Sequence, residues 1–265
     1  MHEIDPTEVS LLRRQLFNDG AIIVKRFFDT HEVQKIERAI NDVMAQPSAF
    51  SSRMEDADGS FFMDYNNWRR FPSVKSMCMR PKTVNFIRSI TRSPNVWLFH
   101  DHVLVKNGKA KETPWHHDRP YYIFKGDLNL SVWTPTCDVP DHQGMVFLRG
   151  SHKTGKLYVP KSFRDGGDLE IKEGFEKFHP KLLEQFDHLT FEVHKGDAIL
   201  FFNSVLHSAA AHATDFSRSA LSVRYLVGDA SLTKKYVNAT PPFDRLGVKV
   251  EEDGPVPEDK FPLLD

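Results

Sequence analysis

Arg218-Ser219-Ala220-Leu221-Ser222-Val223-Arg224-Tyr225-Leu226-Val227 decides how the chain folds. Successive side chains of a strand point to opposite faces, so one face carries Arg218, Ala220, Ser222 and Arg224. The other carries Ser219, Leu221, Val223, Tyr225 and Val227. Asn129-Leu130-Ser131-Val132-Trp133-Thr134 repeats the pattern, with Asn129, Ser131 and Trp133 opposite Leu130 and Val132. A polar strand face ordinarily meets solvent. Here Trp133 sits on one such face, and Arg218 lies 218 − 207 = 11 residues beyond His207, so a lumen with chemistry inside is the better reading. The apolar faces then pack beneath helices, which gives a mainly β fold of the jelly-roll kind.

Those helices are expected upstream. Asp5-Pro6 resembles an N-cap followed by proline at the first helical position, and Leu11, Leu12, Leu16 and Phe17 recur at helical spacing until Gly20. A short strand from Ala21 to Lys25 follows. Asp29-x-x-Glu32 is a capping-box variant ahead of the stripe Val33, Ile36, Ile40 and Val43, which ends near Pro47. Val84, Ile87 and Ile90 predict a third helix over Lys82 to Thr91. From about Trp97 onward, short apolar or alternating runs are separated by Gly, Pro, Asn and Asp, which marks strands. The expected organisation is a single domain over 1–265: a helical part to about 95, a barrel from about 96 to 228, and a tail from 229 to 265. Within it, Lys161 to His188 is expected as an insertion or lid, and Glu251 to Pro255 as an extended surface segment.

Composition narrows the function. Thirty-five Lys and Arg against 36 Asp and Glu leave a formal charge of −1, so no broad field favours nucleic acid or an anionic membrane. The acidic amino terminus and the brevity of Ala21-Ile22-Ile23-Val24 argue against a signal peptide or a membrane span, so a cytoplasmic location is expected. Cys78 and Cys137 form no CxxC metal pair and no disulfide framework.

The chemistry lies in Trp115-His116-His117-Asp118 and in the distal His207. On a strand, His116 and Asp118 share one side while His117 faces away. The turn Lys195-Gly196-Asp197, the apolar run Ala198 to Phe202 and then His207 would set a second imidazole at a sheet rim. Two imidazoles and one carboxylate occupy one face of an octahedral ferrous ion, leaving positions for a chelating co-substrate and dioxygen. Arg218 brings a planar, always-charged fork suited to a carboxylate. His142, His179, His188, His194 and His212 lack paired spacing.

Trp115 to Tyr122, Gly150-Ser151-His152-Lys153, Gly196-Asp197 with Phe201 and His207, and Arg218 leading into Ser222-Val223-Arg224-Tyr225 resemble the phytanoyl-CoA dioxygenase family over about residues 15 to 228. The resemblance implies a double-stranded β-helix and an Fe(II)- and 2-oxoglutarate-dependent oxygenase. It uses O2, releases succinate and CO2, and has ascorbate as a supporting reductant. It also implies that His116, Asp118 and His207 are the iron ligands and that Arg218 pairs with the distal carboxylate of 2-oxoglutarate. Trp133 and His117, and with them His102 and Leu104, would line the co-substrate pocket. Ala209 departs from the pattern, since a hydroxyl can assist the co-substrate there, and Arg149 precedes Gly150 where proline is frequent.

Other classes fit less well. An HD-type phosphohydrolase could claim His117-Asp118, but its ligands sit on helices, whereas Pro120, Tyr121 and Tyr122 favour strand and turn. A noncatalytic cupin-like binding protein need not keep all three ligands and Arg218, and a halogenating relative would replace Asp118 with a small residue. The expected partner is a small polar metabolite, and the resemblance, whose family includes members acting on organophosphonates, puts 2-aminoethylphosphonate, hydroxylated beside phosphorus, ahead of amino acids and acyl-CoA. Lys106, Lys109, Lys111, Arg119, Tyr121, Tyr122, His142 and Arg149 cluster near the metal motif as candidate anion contacts, with Asp64 or Glu112 for an ammonium end.

Overall fold

The computed structural model describes residues 5–55, 58–211, 217–237 and 243–265, so the amino-terminal residues 1–4 and His212 lie outside the described residues. Helix α1 (Pro6–Asp19) starts where Asp5 accepts from the Thr7 amide at 2.7 Å. It stops at Gly20, whose φ of 89° is left-handed and whose Cα could not carry a side chain. A Cβ there would lie 2.6 Å from His152 Nδ1 and 2.7 Å from Val205 Cγ2. Helix α2 (Thr30–Ala45) carries both halves of the expected capping box, Asp29 with Glu32. The expected third helix spans Pro81–Thr91 and is preceded by an unforeseen seven-residue helix, so these are α4 and α3 (Pro72–Cys78). A second departure is the hairpin Ser52–Glu55 with Gly59–Tyr65, which puts strands inside the part expected to be helical.

That hairpin closes one edge of a seven-stranded antiparallel sheet. Its strand order is Ala21–Val24, Ala198–Phe202, Leu130–Pro135, Arg218–Val227, Val96–Gly108, Gly59–Tyr65 and Ser52–Glu55. A second antiparallel sheet runs His188–Thr190, Met145–Leu148, His207–Ala209 and Thr113–His116. Trp133, Ile199, Phe201 and Ala220 of the large sheet share one apolar cluster with Met145, Phe147 and Ala209 of the small one, so the two sheets face each other as a jelly roll.

The other face of the large sheet carries the helices. Leu221, Val223, Tyr225 and Val227 pack with Leu16 of α1, Ile36, Ile40 and Val43 of α2 and Ile87 of α4. Each such side chain stabilises by about 1.5–3 kcal/mol when fully buried. Tyr225 also satisfies its hydroxyl, which donates to the Cys78 carbonyl at 2.8 Å. Arg218, Ala220, Ser222 and Arg224 point into the space between the sheets.

The neighbouring strand reaches the lumen by a different route. Val96 and Leu98 face the helices, as do Val103 and Val105, so the parity of the strand changes between them. The register against Arg218–Val227 slips between Arg224 and Tyr225, which pair with His100 and Leu98, and Phe99 is the extra residue. This bulge turns His102, Leu104 and Lys106 inward. The C-terminal residues pack back on the fold: the Leu264 amide donates to the Val96 carbonyl at 2.8 Å, and Phe261 packs on Phe99 and Phe124. Glu251, Glu252 and Asp253 are exposed, as expected of a surface segment.

Candidate active site

His116 ends its strand, and His207 begins the neighbouring one directly opposite it, with ring centroids 4.3 Å apart. Asp118 arrives differently from the sequence expectation. The strand stops at His116, and Asp118 has helical backbone angles (φ −70°, ψ −30°) at the entry to the 3-10 turn Arg119–Tyr121, so a turn and not the strand pleat aims its carboxylate. Its Oδ1 lies 3.6 Å from His116 Nε2 and 3.9 Å from His207 Nε2. All three side chains are buried, and their ligand atoms lie within 4.8 Å of one another.

The donor set fits a ferrous ion. His116 Nδ1 is held by the Pro114 carbonyl at 2.7 Å and His207 Nδ1 by the Val205 carbonyl at 3.0 Å. Each carbonyl accepts a hydrogen bond from Nδ1–H, which leaves the Nε2 lone pair aimed at the common centre. Burial, and then the neighbouring His207, push His116 down to about 3, and burial lowers His207 as well, so both rings are neutral. Burial alone would raise the Asp118 carboxyl, but its charged surroundings, Arg224 foremost, outweigh it and hold the group below the usual carboxylate range. The site offers two neutral nitrogens and one anionic oxygen.

Arg224 was not assigned a role from the sequence. Its guanidinium donates to the Tyr122 hydroxyl at 3.0 Å and the Ser222 carbonyl at 3.2 Å, and Nη2 stands 3.6 Å from Asp118 Oδ2. Ser131 donates to the same oxygen at 3.4 Å. Oδ2 is thereby engaged from behind while Oδ1 remains with the imidazoles. No motif spacing announces such a contact, which depends on two non-adjacent strands and a turn.

Two chambers meet at this centre. The inner one, of about 70 Å³, is lined by His102, Leu104, Trp133 and Arg218, together with Lys106, Ala209, His116 and His207. The outer one, of about 220 Å³, is lined by Asp118, Tyr65, Tyr121, Tyr122, Lys161, Arg164 and Leu169. His102, His116, Phe163 and Arg224 border both. Phe163 packs edge-on against the His116 ring at 4.7 Å. Of the segment Lys161 to His188, expected as an insertion or lid, Lys161 to Arg164 and Leu169 border the outer chamber, whereas Phe178, Leu182, Leu183 and Phe186 form a separate cluster with Leu148, Tyr158 and Leu206.

His117 corrects the sequence reading. It borders neither chamber; its Nε2 accepts from the Tyr158 amide at 3.0 Å, and Nδ1 lies 3.4 Å from the Ser204 carbonyl, so it splints the loops behind the site. The basic cluster read near the metal motif also divides. Lys106 enters the inner chamber and Lys111 borders a third, surface cavity beside Glu112. Lys109 is exposed, His142 lies at the surface beside Asp141, Arg119 pairs with Asp127 at 3.5 Å, and Arg149 pairs with Asp19 at 3.0 Å. Asp64 is committed elsewhere, accepting from the Ser48 and Tyr65 amides at 2.7 Å each. His152 is structural, with Nε2 3.2 Å from the Phe17 carbonyl.

The profile of the phytanoyl-CoA dioxygenase (PhyH) family matches residues 17–220. The chain belongs to this family. Mouse peroxisomal phytanoyl-CoA dioxygenase is 22% identical over 244 residues, covering 84% of this chain and 70% of that protein. The α-ketoglutarate-dependent epimerase SnoN from nogalamycin biosynthesis superposes with a TM-score of 0.78 at 21% identity, covering 98% of this chain and 100% of that one. EctD from S. alaskensis, crystallised with 2-oxoglutarate and 5-hydroxyectoine, superposes at 0.68 with 17% identity, covering 93% of this chain and 85% of that one. These structural likenesses establish the jelly-roll fold. As a family member with a His-Asp-His cluster, the chain is a dioxygenase that works with iron and 2-oxoglutarate. No helix among the described residues is long and apolar enough to cross a membrane.

Proposed function

We propose that the protein hydroxylates an unactivated C–H bond of a small, anionic, polar metabolite, with His116, Asp118 and His207 holding Fe(II) and Arg218 anchoring 2-oxoglutarate. The observation that carries this reading is the convergence of one carboxylate oxygen and two Nε2 atoms whose rings are fixed by backbone carbonyls. Bound iron and 2-oxoglutarate supply the oxidising power: with O2, the keto acid becomes succinate and CO2 and the substrate C–H becomes C–OH.

The remaining tasks fall to the protein. His116 and His207 present lone pairs without a proton to displace, and Arg224 and Ser131 keep Asp118 turned toward them. Arg218, buried in the inner chamber with Trp133 and Leu104 beside it, offers a charged fork to the distal carboxylate of the co-substrate. Phe163 and Tyr121 shield the centre from water, and the outer chamber presents the substrate carbon from the opposite side.

The outer chamber supports the substrate class. Tyr65, Tyr121, Tyr122, Met63 and Phe163 give it apolar walls, while Arg164 is the cation for an anionic head group, Lys161 being paired with Asp168 at 2.6 Å. Among small anions, 2-aminoethylphosphonate comes first, with the phosphonate toward Arg164 and the ammonium against tyrosine ring faces. Amino acids are the second choice, and a long-chain acyl-CoA is the contrasting one. Enzyme loaded with Fe(II) and 2-oxoglutarate should release succinate and hydroxylated product with the phosphonate. Product and succinate formed only with the acyl-CoA would overturn the substrate assignment.

A further inference from the structure

Lys106 and Arg218 stand directly opposite each other on neighbouring strands, both are buried, and both border the inner chamber. Like charges in that register destabilise a sheet, and a buried cation without an anion carries a large desolvation cost. Neither forms an ion pair with a carboxylate among the described residues. Lys106 Nζ donates to the Lys111 carbonyl at 2.8 Å and the Ala210 carbonyl at 3.5 Å, and Arg218 donates to the Gln143 carbonyl. Nζ lies 5.0 Å from the Phe61 ring centroid, which holds the side chain in place. Of the three cations that line the chamber, Arg224 stands beside the Asp118 carboxylate, whereas Lys106 and Arg218 have no anion among the described residues, and they lie beside a metal cluster whose co-substrate is a dicarboxylate. Ala209, which borders the same space, offers only a methyl group.

We propose that Lys106 is a second anchor, with Arg218, for the distal carboxylate of 2-oxoglutarate. The inference rests on the co-substrate reading above and adds a residue to it. It also gives co-substrate binding a pH dependence. Burial first, and then Arg218, bring Lys106 down to about 7, with Glu112 opposing. Arg218 stays charged, and the Cys137 thiol near it is pushed up by burial and stays protonated. An ammonium that gains a carboxylate holds its proton more tightly, so its contribution is complete below about 7 and declines as pH rises through that value.

Anaerobic calorimetric titration of the Fe(II)-loaded protein tests this, using 2-oxoglutarate and 2-oxopentanoate, the keto acid with a methyl in place of the distal carboxylate. At about pH 6, Lys106→Met should weaken 2-oxoglutarate about tenfold and leave 2-oxopentanoate unchanged. Between about pH 6 and about pH 9 the wild-type affinity for 2-oxoglutarate should fall, with a flat profile in Lys106→Met and recovered, flat binding in Lys106→Arg. Equal affinity of wild type and Lys106→Met at the lower pH, or equal loss for both keto acids, would overturn the role. Should Lys106→Met not fold, the wild-type profile decides alone, a flat one overturning the proposal. Absence of any 2-oxoglutarate binding by the wild-type protein would instead bring down the co-substrate reading itself.

Discussion

Replacing Arg224 with methionine isolates what holds Asp118 in position. The variant keeps an unbranched apolar stem but removes the donors to Tyr122 and Ser222 and the cation 3.6 Å from Asp118 Oδ2. Both partners of that pair are buried. Truncating one member of a buried pair costs about 3–5 kcal/mol, and the separation here puts the loss at the lower end, about 3 kcal/mol. For a chain of this size that corresponds to a fall in Tm of about 6–12 °C in the metal-free protein. The sign with pH follows from Asp118. Its depressed pKa contributes stability above the usual carboxylate range, and that stability is lost as pH falls. Without Arg224, burial is the dominant influence and the carboxyl is pushed up, so the gap between variant and wild type should be widest near neutrality and narrow in acid. Fe(II) should stabilise the variant more than the wild type, because the ion replaces the missing positive charge. Calorimetric melting with and without Fe(II) measures all three effects. A metal-free Arg224→Met melting within about 2 °C of wild type would refute the reasoning.

Two further variants probe the chambers. Arg218→Ala should weaken 2-oxoglutarate by about 2–4 kcal/mol, roughly 30- to 700-fold in Kd, while Fe(II) affinity is unchanged; an unaltered co-substrate Kd in anaerobic titration would assign the anchor elsewhere. Phe163→Ala removes the ring that borders both chambers and covers His116, so succinate should form in severalfold excess over hydroxylated product. A product-to-succinate ratio equal to that of wild type would count against a shielding role for Phe163.

The alternation in Arg218–Val227 made the barrel legible because a single strand displayed both the helix-facing apolar row and the lumen-facing polar row. A capping aspartate and a stop glycine made α1 plain, and a capping box did the same for α2. α3 escaped because seven residues give a 3.6-residue period too little room, and the Ser52–Glu55 hairpin escaped because its short edge strand has no sustained apolar face. The bulge at Phe99 is invisible to any period-2 reading, since an extra residue exchanges the two faces midway. Within the site, the three cluster residues were readable from type and spacing, although the route by which Asp118 reaches them was not. His117 was placed by analogy in a pocket that its ring does not reach. Arg224 and Lys106 gain their significance only from partners on other strands.

Anaerobic Fe(II) titration of wild type beside His207→Ala and His117→Ala bears most directly on the central claim. Wild type and His117→Ala should each bind one ferrous ion per chain with similar affinity, since His117 lies behind the site. His207→Ala should bind more than about 100-fold more weakly, beyond the loss expected from an outer hydrogen-bond partner. Unaltered stoichiometry and affinity in His207→Ala would contradict the assignment of His116, Asp118 and His207 as the metal centre.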